Sequence, residues 1–142
     1  MAREKFSKQI LVVEIILAVN KSGYIGLNNK LPWKSKDDLN HFKKLTMGKT
    51  CLVGRKTYED MPKLSGRNLI VVGNGHCSLE DALKQDIDYV IGGKHLIEST
   101  MHLCSKVHLS VINDWTVGDV RMPSFKEYVN EIRIYRFEIN NL

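Results

Sequence analysis

Strand-like and helix-like segments alternate along most of this sequence, and this alternation constrains the fold more than any single motif. Residues 10–19 form an almost unbroken apolar run, interrupted only by Glu14, which is typical of a buried strand. Shorter apolar runs predict further strands at 50–53, 69–72, 87–91 and 106–112. Helical patterns begin near Lys36, Arg55, Ser78 and Lys94. Strands that alternate with helices favour a mostly parallel sheet with helices on both faces.

The last segment, residues 131–139, alternates between apolar and polar side chains. It predicts a strand that returns to the sheet as an antiparallel edge strand. At 142 residues, with 43% apolar and 26% charged residues, the chain fits one α/β domain with a twisted, mostly parallel sheet and flanking helices. That domain is predicted to span 1–142, and residues 1–9 could form a short N-terminal extension.

Composition and charge limit the kinds of molecule that this protein is expected to bind. The net charge of +5 suits acidic small molecules as well as nucleic acids, but the basic residues are scattered along the sequence. The sequence shows no aromatic-basic signature of nucleic-acid binding, no metal-ligand spacing and no internal repeat. No apolar run is long enough to span a membrane, and residues 1–9 are too charged for a secretory signal. We therefore expect a cytoplasmic protein without metal, nucleic-acid or membrane partners, whose cysteines are reduced and partly buried: Cys51, Cys77 and Cys104.

One carboxylate stands at the head of a predicted helix whose neighbouring positions are apolar. Pro32 cannot continue a helix, Ser35 can cap one, and Asp38 follows Ser35 by three residues, as in a capping box. Phe42 lies four residues after Asp38, so the acid and an apolar stripe share one helix face. Two interpretations remain open from these residues alone. Asp38 is either a solvated cap or a functional acid beside an apolar site.

Glycines and basic residues follow two of the predicted strands. Gly-Arg-Lys-Thr occupies 54–57, and Gly-Gly-Lys occupies 92–94. Ligands of parallel sheets bind at the carboxyl ends of strands, and free N–H groups at a helix start attract phosphate. Neither is a nucleotide-binding fingerprint, and alone a Gly-Gly pair after a strand is more often a turn and Arg-Lys after a glycine more often a solvated face. Together they predict a phosphate-binding edge of the sheet.

Further short motifs extend this pattern, in an order and spacing that is highly specific in combination. They are Ile25-Gly26, Leu31-Pro32-Trp33, Asp38-Leu39, Phe42-Lys43, Thr46, the run 54–59, the run 64–67 and Ile91-Gly92-Gly93. In this combination the sequence resembles dihydrofolate reductase from about Ile10 to about Ser124. The resemblance implies reduction of 7,8-dihydrofolate to 5,6,7,8-tetrahydrofolate by hydride transfer from NADPH, a step in one-carbon metabolism and nucleotide precursor synthesis.

The resemblance also implies a substrate site. Asp38 would be the catalytic acid: its oxygens would bind the 2-amino group and N3 of the pterin, orient the ring and support its protonation. Burial should raise the pKa of Asp38, because desolvation disfavours the charged form. Arg67 would bind the carboxylate of the glutamate tail as a fork, and Ser110 would share the Asp38 network. The side chains that would wall the folate are Ile16, Leu31, Leu39, Phe42, Met61 and Leu64.

A cofactor site is implied in the same way. Arg55 is the best candidate for NADPH selectivity, Gly92 and Gly93 would be joined by a cis peptide, and the loop 23–31 would form a lid over the nicotinamide. Contacts to the nicotinamide would come from Ala18 and Ile25. The residues that would hold NADPH are Ala18, Ile25, Gly26, Gly54, Arg55, Lys56, Thr57, Gly73, Asn74, Gly92, Gly93, Lys94, His95 and Leu96.

The sequence departs from the family pattern at several points. Ile97 stands where the family usually carries Tyr or Phe, and residues 73–74 replace a Ser or Thr that often helps bind the 2'-phosphate. Residues 131–142 supply one long strand where the family commonly builds a longer hairpin. His41 is predicted to be solvated and His108 to point outward, and no histidine is predicted to bind a metal or to act as a nucleophile. Two alternatives remain for a protein expected to be a monomer: a related riboflavin-pathway reductase, or a non-catalytic binding protein that retains the pocket.

Overall fold

The computed structural model describes residues 13–26, 31–125 and 127–139. Within them the strands are β1 (Glu14–Asn20), β2 (Tyr24–Gly26), β3 (Thr50–Gly54), β4 (Asn68–Val72), β5 (Tyr89–Gly92), β6 (Lys106–Ile112), β7 (Val120–Arg121) and β8 (Glu131–Phe137). The helices are α1 (Lys36–Thr46), α2 (Arg55–Asp60), α3 (Leu79–Ala82) and α4 (Lys94–Thr100), followed by a 3-10 turn (Met101–Leu103). The predicted strands and helices are found with small differences at their ends. The predicted N-terminal extension and the start of the first strand, at 10–12, lie outside the described residues.

Two helices begin at the serines that the sequence predicts. The hydroxyl of Ser35 accepts a hydrogen bond from the backbone N–H of Asp38 at 3.2 Å, and that of Ser78 accepts one from Asp81 at 3.1 Å. Each bond satisfies one N–H group that the first turn of a helix leaves without a partner. These local contacts fix where α1 and α3 start.

The large sheet of the described chain has the strand order β4-β3-β5-β1-β6-β8, and its recorded strand pairs are parallel. Ile15, Leu52, Val90 and Val107, from four neighbouring strands, are at most 1% exposed. The hydrophobic core therefore follows the middle of the sheet. Parallel strands covered on both faces consist of continuous apolar runs, which explains why β1 and β3 were recognisable in the sequence.

The direction predicted for the last strand is wrong. β8 lies at the edge of the described sheet, as expected, but it runs parallel to β6, with Lys106 opposite Glu131 and Ile112 opposite Phe137. The segment 113–130 returns the chain to the amino end of β6, where the N–H of Asn130 donates to the carbonyl of Ser105 at 3.0 Å. A crossover of this length permits a parallel connection, whereas an antiparallel one would need only a tight turn.

A small antiparallel sheet, β2 with β7, was not predicted from the sequence. The N–H of Asp119 donates to the carbonyl of Gly26 at 2.9 Å, and that of Met122 donates to the carbonyl of Gly23 at 3.0 Å. A Cβ atom at Gly118 would collide with the carbonyl oxygen of Gly26. These contacts hold the start of the predicted lid loop against the segment after β6, while residues 27–30 of that loop lie outside the described part. Strands of two and three residues leave no periodic signal.

Two predictions about histidines are also wrong. His108 is 5% exposed rather than outward-facing, because β6 lies between β1 and β8 and both ring nitrogens are hydrogen-bonded inside the protein. His41 is half-buried rather than solvated, and its ring packs on that of Tyr135. Glu14, the only break in the first apolar run, bonds to His108. Buried polar residues of this kind persist because they find partners.

The thiols agree with the prediction. Cys51, Cys77 and Cys104 are free, and Cys51 and Cys104 are buried. Burial raises the pKa of the Cys51 thiol to about 11 and that of Cys104 to about 12, so neither is a thiolate near neutral pH.

Two kinds of feature are absent from the described ranges. They contain no helix long and apolar enough to cross a membrane. They also contain no group of three or more His, Cys, Asp or Glu side chains that could hold a metal ion.

Candidate active site

The first turn of α1 carries a buried carboxylate against the central sheet. Asp38 is 7% exposed and its capping partner Ser35 is 2% exposed. The hydroxyl of Ser110, on β6, donates a hydrogen bond to the Asp38 carboxylate. Burial raises the pKa of Asp38 above its ordinary value of 3.8, and the bond from Ser110 offsets part of that rise. Asp38 is therefore not a solvated cap, and the predicted direction of its pKa is confirmed.

The surroundings of this acid are apolar and partly open. Ile16 on β1 is 6% exposed, and the register places Ala18 opposite Ser110 on the same sheet face. Leu31 and Leu39 remain 48% and 51% exposed, so the expected enclosure of Asp38 by these two side chains is only partial. Exposed large apolar side chains on the same helix or just before it, together with a buried acid, are the residue types that sites for small molecules combine.

Three buried polar atoms on or near α1 have no hydrogen-bond partner within the described residues. They are the indole Nε1 of Trp33, a residue that is 6% exposed, Nε2 of His41 and Nε of Arg67. Nη1 of Arg67 lies 3.4 Å from the hydroxyl of Thr46, at the end of α1. Most buried polar groups are paired, so these atoms are open to partners beyond the described residues.

The length of α1 separates the acid from the guanidinium. Asp38 lies in the first turn, and Thr46, the neighbour of Arg67, is the last residue of the helix. At 1.5 Å per residue this separation is about 12 Å. A ligand that reached both groups would be elongated and would lie along the helix. The remaining predicted wall residues are half-buried: Phe42, Met61 and Leu64.

The glycine-rich ends of β3 and β5 meet at the carboxyl edge of the sheet. Gly54 and Gly93 are the residues before α2 and α4, and neither supplies a side chain to cap the helix. A Cβ atom at Gly54 would lie 3.7 Å from the carbonyl of Gly92, and one at Gly93 would lie 2.8 Å from the hydroxyl of Thr57. The peptide between Gly92 and Gly93 is cis, as the resemblance implies. Free N–H groups and close backbone approach at this edge suit a pyrophosphate.

The predicted selectivity residue has an acidic neighbour. Nη1 of Arg55 lies 3.1 Å from both carboxylate oxygens of Glu59, one turn later on α2. A Cβ at Gly73 would lie 2.7 Å from Cβ of Arg55, so the turn after β4 packs directly on this arginine. His76, in the same turn, meets the ring of Tyr58 edge-on at 5.9 Å. No local sequence pattern indicates that Tyr58 and His76 adjoin this cluster.

The other predicted cofactor residues lie on several different elements. Ile25 and Gly26 lie in β2 and are half-buried, as is Ala18 in β1. Leu96 is buried in α4 and would touch a Cβ at Gly54 at 4.0 Å. The side chains that are at least partly open to solvent are Lys56, Asn74, Lys94 and His95.

Comparison with known proteins agrees with this arrangement. A family model described as dihydrofolate reductase matches residues 12–138. The chain belongs to the dihydrofolate reductase family. This result supports the first of the two reductase families considered from the sequence.

Individual members of this family match over most of the chain. The bifunctional dihydrofolate reductase-thymidylate synthase of Paramecium tetraurelia is 36% identical over 145 residues, which cover 89% of this chain and 30% of that protein. The dihydrofolate reductase type 8 of Escherichia coli is 35% identical over 134 residues, which cover 78% of this chain and 79% of that protein. Among solved structures, dihydrofolate reductase from Enterococcus faecalis, complexed with NADP(H) and the compound RAB-propyl, is 26% identical. It matches with a TM-score of 0.71 over 82% of this chain and 79% of that chain.

Proposed function

We propose that this protein is a monomeric, cytoplasmic enzyme that reduces 7,8-dihydrofolate to 5,6,7,8-tetrahydrofolate with NADPH. Family membership and the likeness to a reductase complexed with NADP(H) support this reaction. The observation that carries it is the buried carboxylate of Asp38, hydrogen-bonded to Ser110 beside an open apolar surface. A buried acid whose pKa is raised by its surroundings is typical of a reacting site, which favours an enzyme over a binding protein that retains the pocket.

Asp38 is proposed to orient the pterin. Its carboxylate accepts hydrogen bonds from the 2-amino group and from N3–H of the ring, which fixes the ring in one orientation. The same negative charge, held in a desolvated site, favours the protonated pterin over the neutral one. Ser110 holds the carboxylate from the sheet side, and the unpartnered indole N–H of Trp33 suits a bridging water near the substrate.

The rest of the substrate is proposed to lie along α1. Its benzoyl part would pack on apolar side chains, and Arg67, near the far end of the helix, would bind a carboxylate of the glutamate tail. The Nε atom of Arg67 is buried without a partner in the described chain, which suits a fork that takes up two carboxylate oxygens. The proposed wall residues are Ile16, Leu31, Leu39, Phe42, Met61 and Leu64.

The chain also provides a fitting site for NADPH, which when bound supplies the hydride. The backbone at Gly54, Gly92 and Gly93 would approach the pyrophosphate closely, because side chains there would crowd the edge. Arg55 would attract the 2'-phosphate in competition with Glu59. The other proposed contacts are Ala18, Ile25, Gly26, Lys56, Thr57, Gly73, Asn74, Lys94, His95 and Leu96.

The test is a direct assay of the purified protein. Loss of NADPH absorbance that depends on dihydrofolate, with tetrahydrofolate identified by mass spectrometry, is the expected result near neutral pH. If NADPH or dihydrofolate binds but no tetrahydrofolate forms, the chain is a binding protein and the proposal is wrong. Oxidation with a ribosylated aminopyrimidine, and not with dihydrofolate, would instead favour the riboflavin-pathway reaction.

Arg67→Lys tests the assignment of the substrate tail. We expect a KM for dihydrofolate roughly tenfold higher with little change in kcat, because an ammonium group cannot reproduce a two-point contact with a carboxylate. Dihydropteroate, which lacks the glutamate, is the matched control: its KM should be the same for both proteins. Equal losses on the two substrates would show that Arg67 acts on the fold and not on the tail.

A further inference from the structure

Three polar side chains form a continuous chain across β1, β6 and β8, outside the residues assigned above. His108 bonds through Nε2 to Oε1 of Glu14 at 2.6 Å and through Nδ1 to the hydroxyl of Tyr135 at 2.9 Å. The side chain of His108 is 6% exposed and that of Glu14 is 27% exposed. A neutral imidazole with its proton on Nε2 satisfies both contacts, since the ring then donates to the carboxylate and accepts from the phenol. We call Glu14, His108 and Tyr135 the polar chain.

The polar chain also touches α1. The ring of His41 lies 4.1 Å from that of Tyr135 and 5.3 Å from that of Phe137, measured between centroids. Burial is the main cause that lowers the pKa of His41, so a neutral ring packs here at neutral pH. These contacts fasten α1 to the edge strand β8.

The contacts of the polar chain lie beside those of Asp38. On β6, Ser110 follows His108 by two residues, so both side chains lie on one sheet face, and Ser110 bonds to Asp38. On β8, the residue opposite Ser110 is Tyr135. On α1, His41 follows Asp38 by three residues, about one turn of the helix. The same two elements, α1 and β6, therefore carry both sets of contacts.

We propose that Glu14, His108, Tyr135 and His41 are positioning residues for Asp38. They fix α1 against β6 and β8, so that the carboxylate keeps its contact with Ser110 and its depth in the pterin site. A buried polar network that is fully satisfied makes the elements it joins rigid. Removal of the Tyr135 hydroxyl would leave Nδ1 of His108 without its partner and loosen this link. The inference rests on the proposed function, because it concerns the residue that orients the pterin.

A purely structural role for the polar chain leads to a different expectation. The residues proposed to hold the phosphates of NADPH lie at the ends of β3, β4 and β5, on the other side of β1 from β6 and β8. A general loosening of the sheet would weaken the binding of both ligands. Loss of positioning at Asp38 would weaken the binding of dihydrofolate and leave that of NADPH unchanged.

Tyr135→Phe removes the hydroxyl and keeps the ring that packs on His41. We expect the KM for dihydrofolate to rise about fivefold, as for the loss of one hydrogen bond, with the KM for NADPH within twofold of wild type. Tyr89→Phe is the matched control: its ring also meets that of His108, edge-on at 5.9 Å, but its hydroxyl is not one of the two partners of the imidazole. It should behave as wild type.

A second pair of variants tests rescue. Glu14→Gln keeps an oxygen that accepts the hydrogen bond from Nε2–H, so its KM for dihydrofolate should stay within twofold of the wild-type value. Glu14→Ala removes that acceptor and should raise the KM for dihydrofolate as Tyr135→Phe does. The proposal is overturned if both Michaelis constants rise together in Tyr135→Phe, or if neither changes. If the wild-type protein is active and one of these results is found, the positioning role is wrong but the proposed function stands. A wild type without turnover overturns both.

Discussion

Asp38→Asn should give a folded protein that reduces dihydrofolate roughly 10²- to 10³-fold more slowly than wild type at neutral pH. The amide keeps the size of the side chain, and the backbone N–H that bonds to Ser35 is untouched, so α1 keeps its cap. What is lost is the negative charge that orients the pterin and favours its protonation. Steady-state turnover and circular dichroism of the two proteins measure these two effects separately.

Asp37→Asn is the matched control for this experiment. Asp37 stands in the same first turn of α1 but is exposed, so it shares the favourable interaction of a carboxylate with the helix start. We expect it to retain wild-type turnover. Similar losses in both variants would mean that the charge at the helix start matters rather than the buried acid, and the role proposed for Asp38 would be wrong.

The raised pKa of Asp38 also predicts the direction of a stability change. Because burial raises the pKa in the folded state, the folded protein binds this proton more tightly than the unfolded chain. The contribution of Asp38 to stability is therefore full below pH 3.8, its ordinary value, and is lost as the pH rises through the folded-state pKa. Asp38→Asn should then be at least as stable as wild type at neutral pH, measured by urea unfolding. Loss of activity with a gain in stability is the behaviour of a functional acid.

The strands and helices were predictable because their signals are local. The apolar run of β1 and the serine caps of α1 and α3 each depend on residues within a few positions of one another. The direction of β8 was not predictable in this way. It depends on the end of β6 to which the crossover segment returns the chain before β8 begins. The residues of β8 themselves are equally suited to either direction.

The residues of the candidate site show the same difference between local signals and contacts that depend on the fold. Asp38 and the glycine pair 92–93 were identified because they belong to short motifs, and in the structure Asp38 is buried and the peptide between the glycines is cis. His108 was misjudged because it alternates with apolar residues as an outward side chain would. Its burial depends on Glu14, which lies 94 positions away and becomes its partner only through the register of β1 with β6. Contacts set by register need the fold before they can be found.

Gly92→Ala should weaken both the fold and the affinity for NADPH. Gly92 has a φ of 127°, a conformation that side chains rarely tolerate, so an alanine there should cost about 1–3 kcal/mol of unfolding free energy. The strain falls at the end of β5, where the backbone faces Gly54 and the start of α2. Relief of that strain moves the backbone proposed to approach the pyrophosphate. We expect the Kd for NADPH, measured by fluorescence titration, to rise at least tenfold.

Gly48→Ala separates the two effects. Gly48 also has a positive φ, 76°, and a Cβ there would meet no atom within 4 Å, so the variant carries a similar backbone strain without a steric clash. It follows α1 and is far in sequence from the strand ends proposed to hold the cofactor. It should lose stability and keep the wild-type Kd for NADPH. If Gly92→Ala loses stability but binds NADPH as well as Gly48→Ala does, the ends of β3 and β5 do not hold the pyrophosphate, because a shift of their backbone leaves its binding energy unchanged.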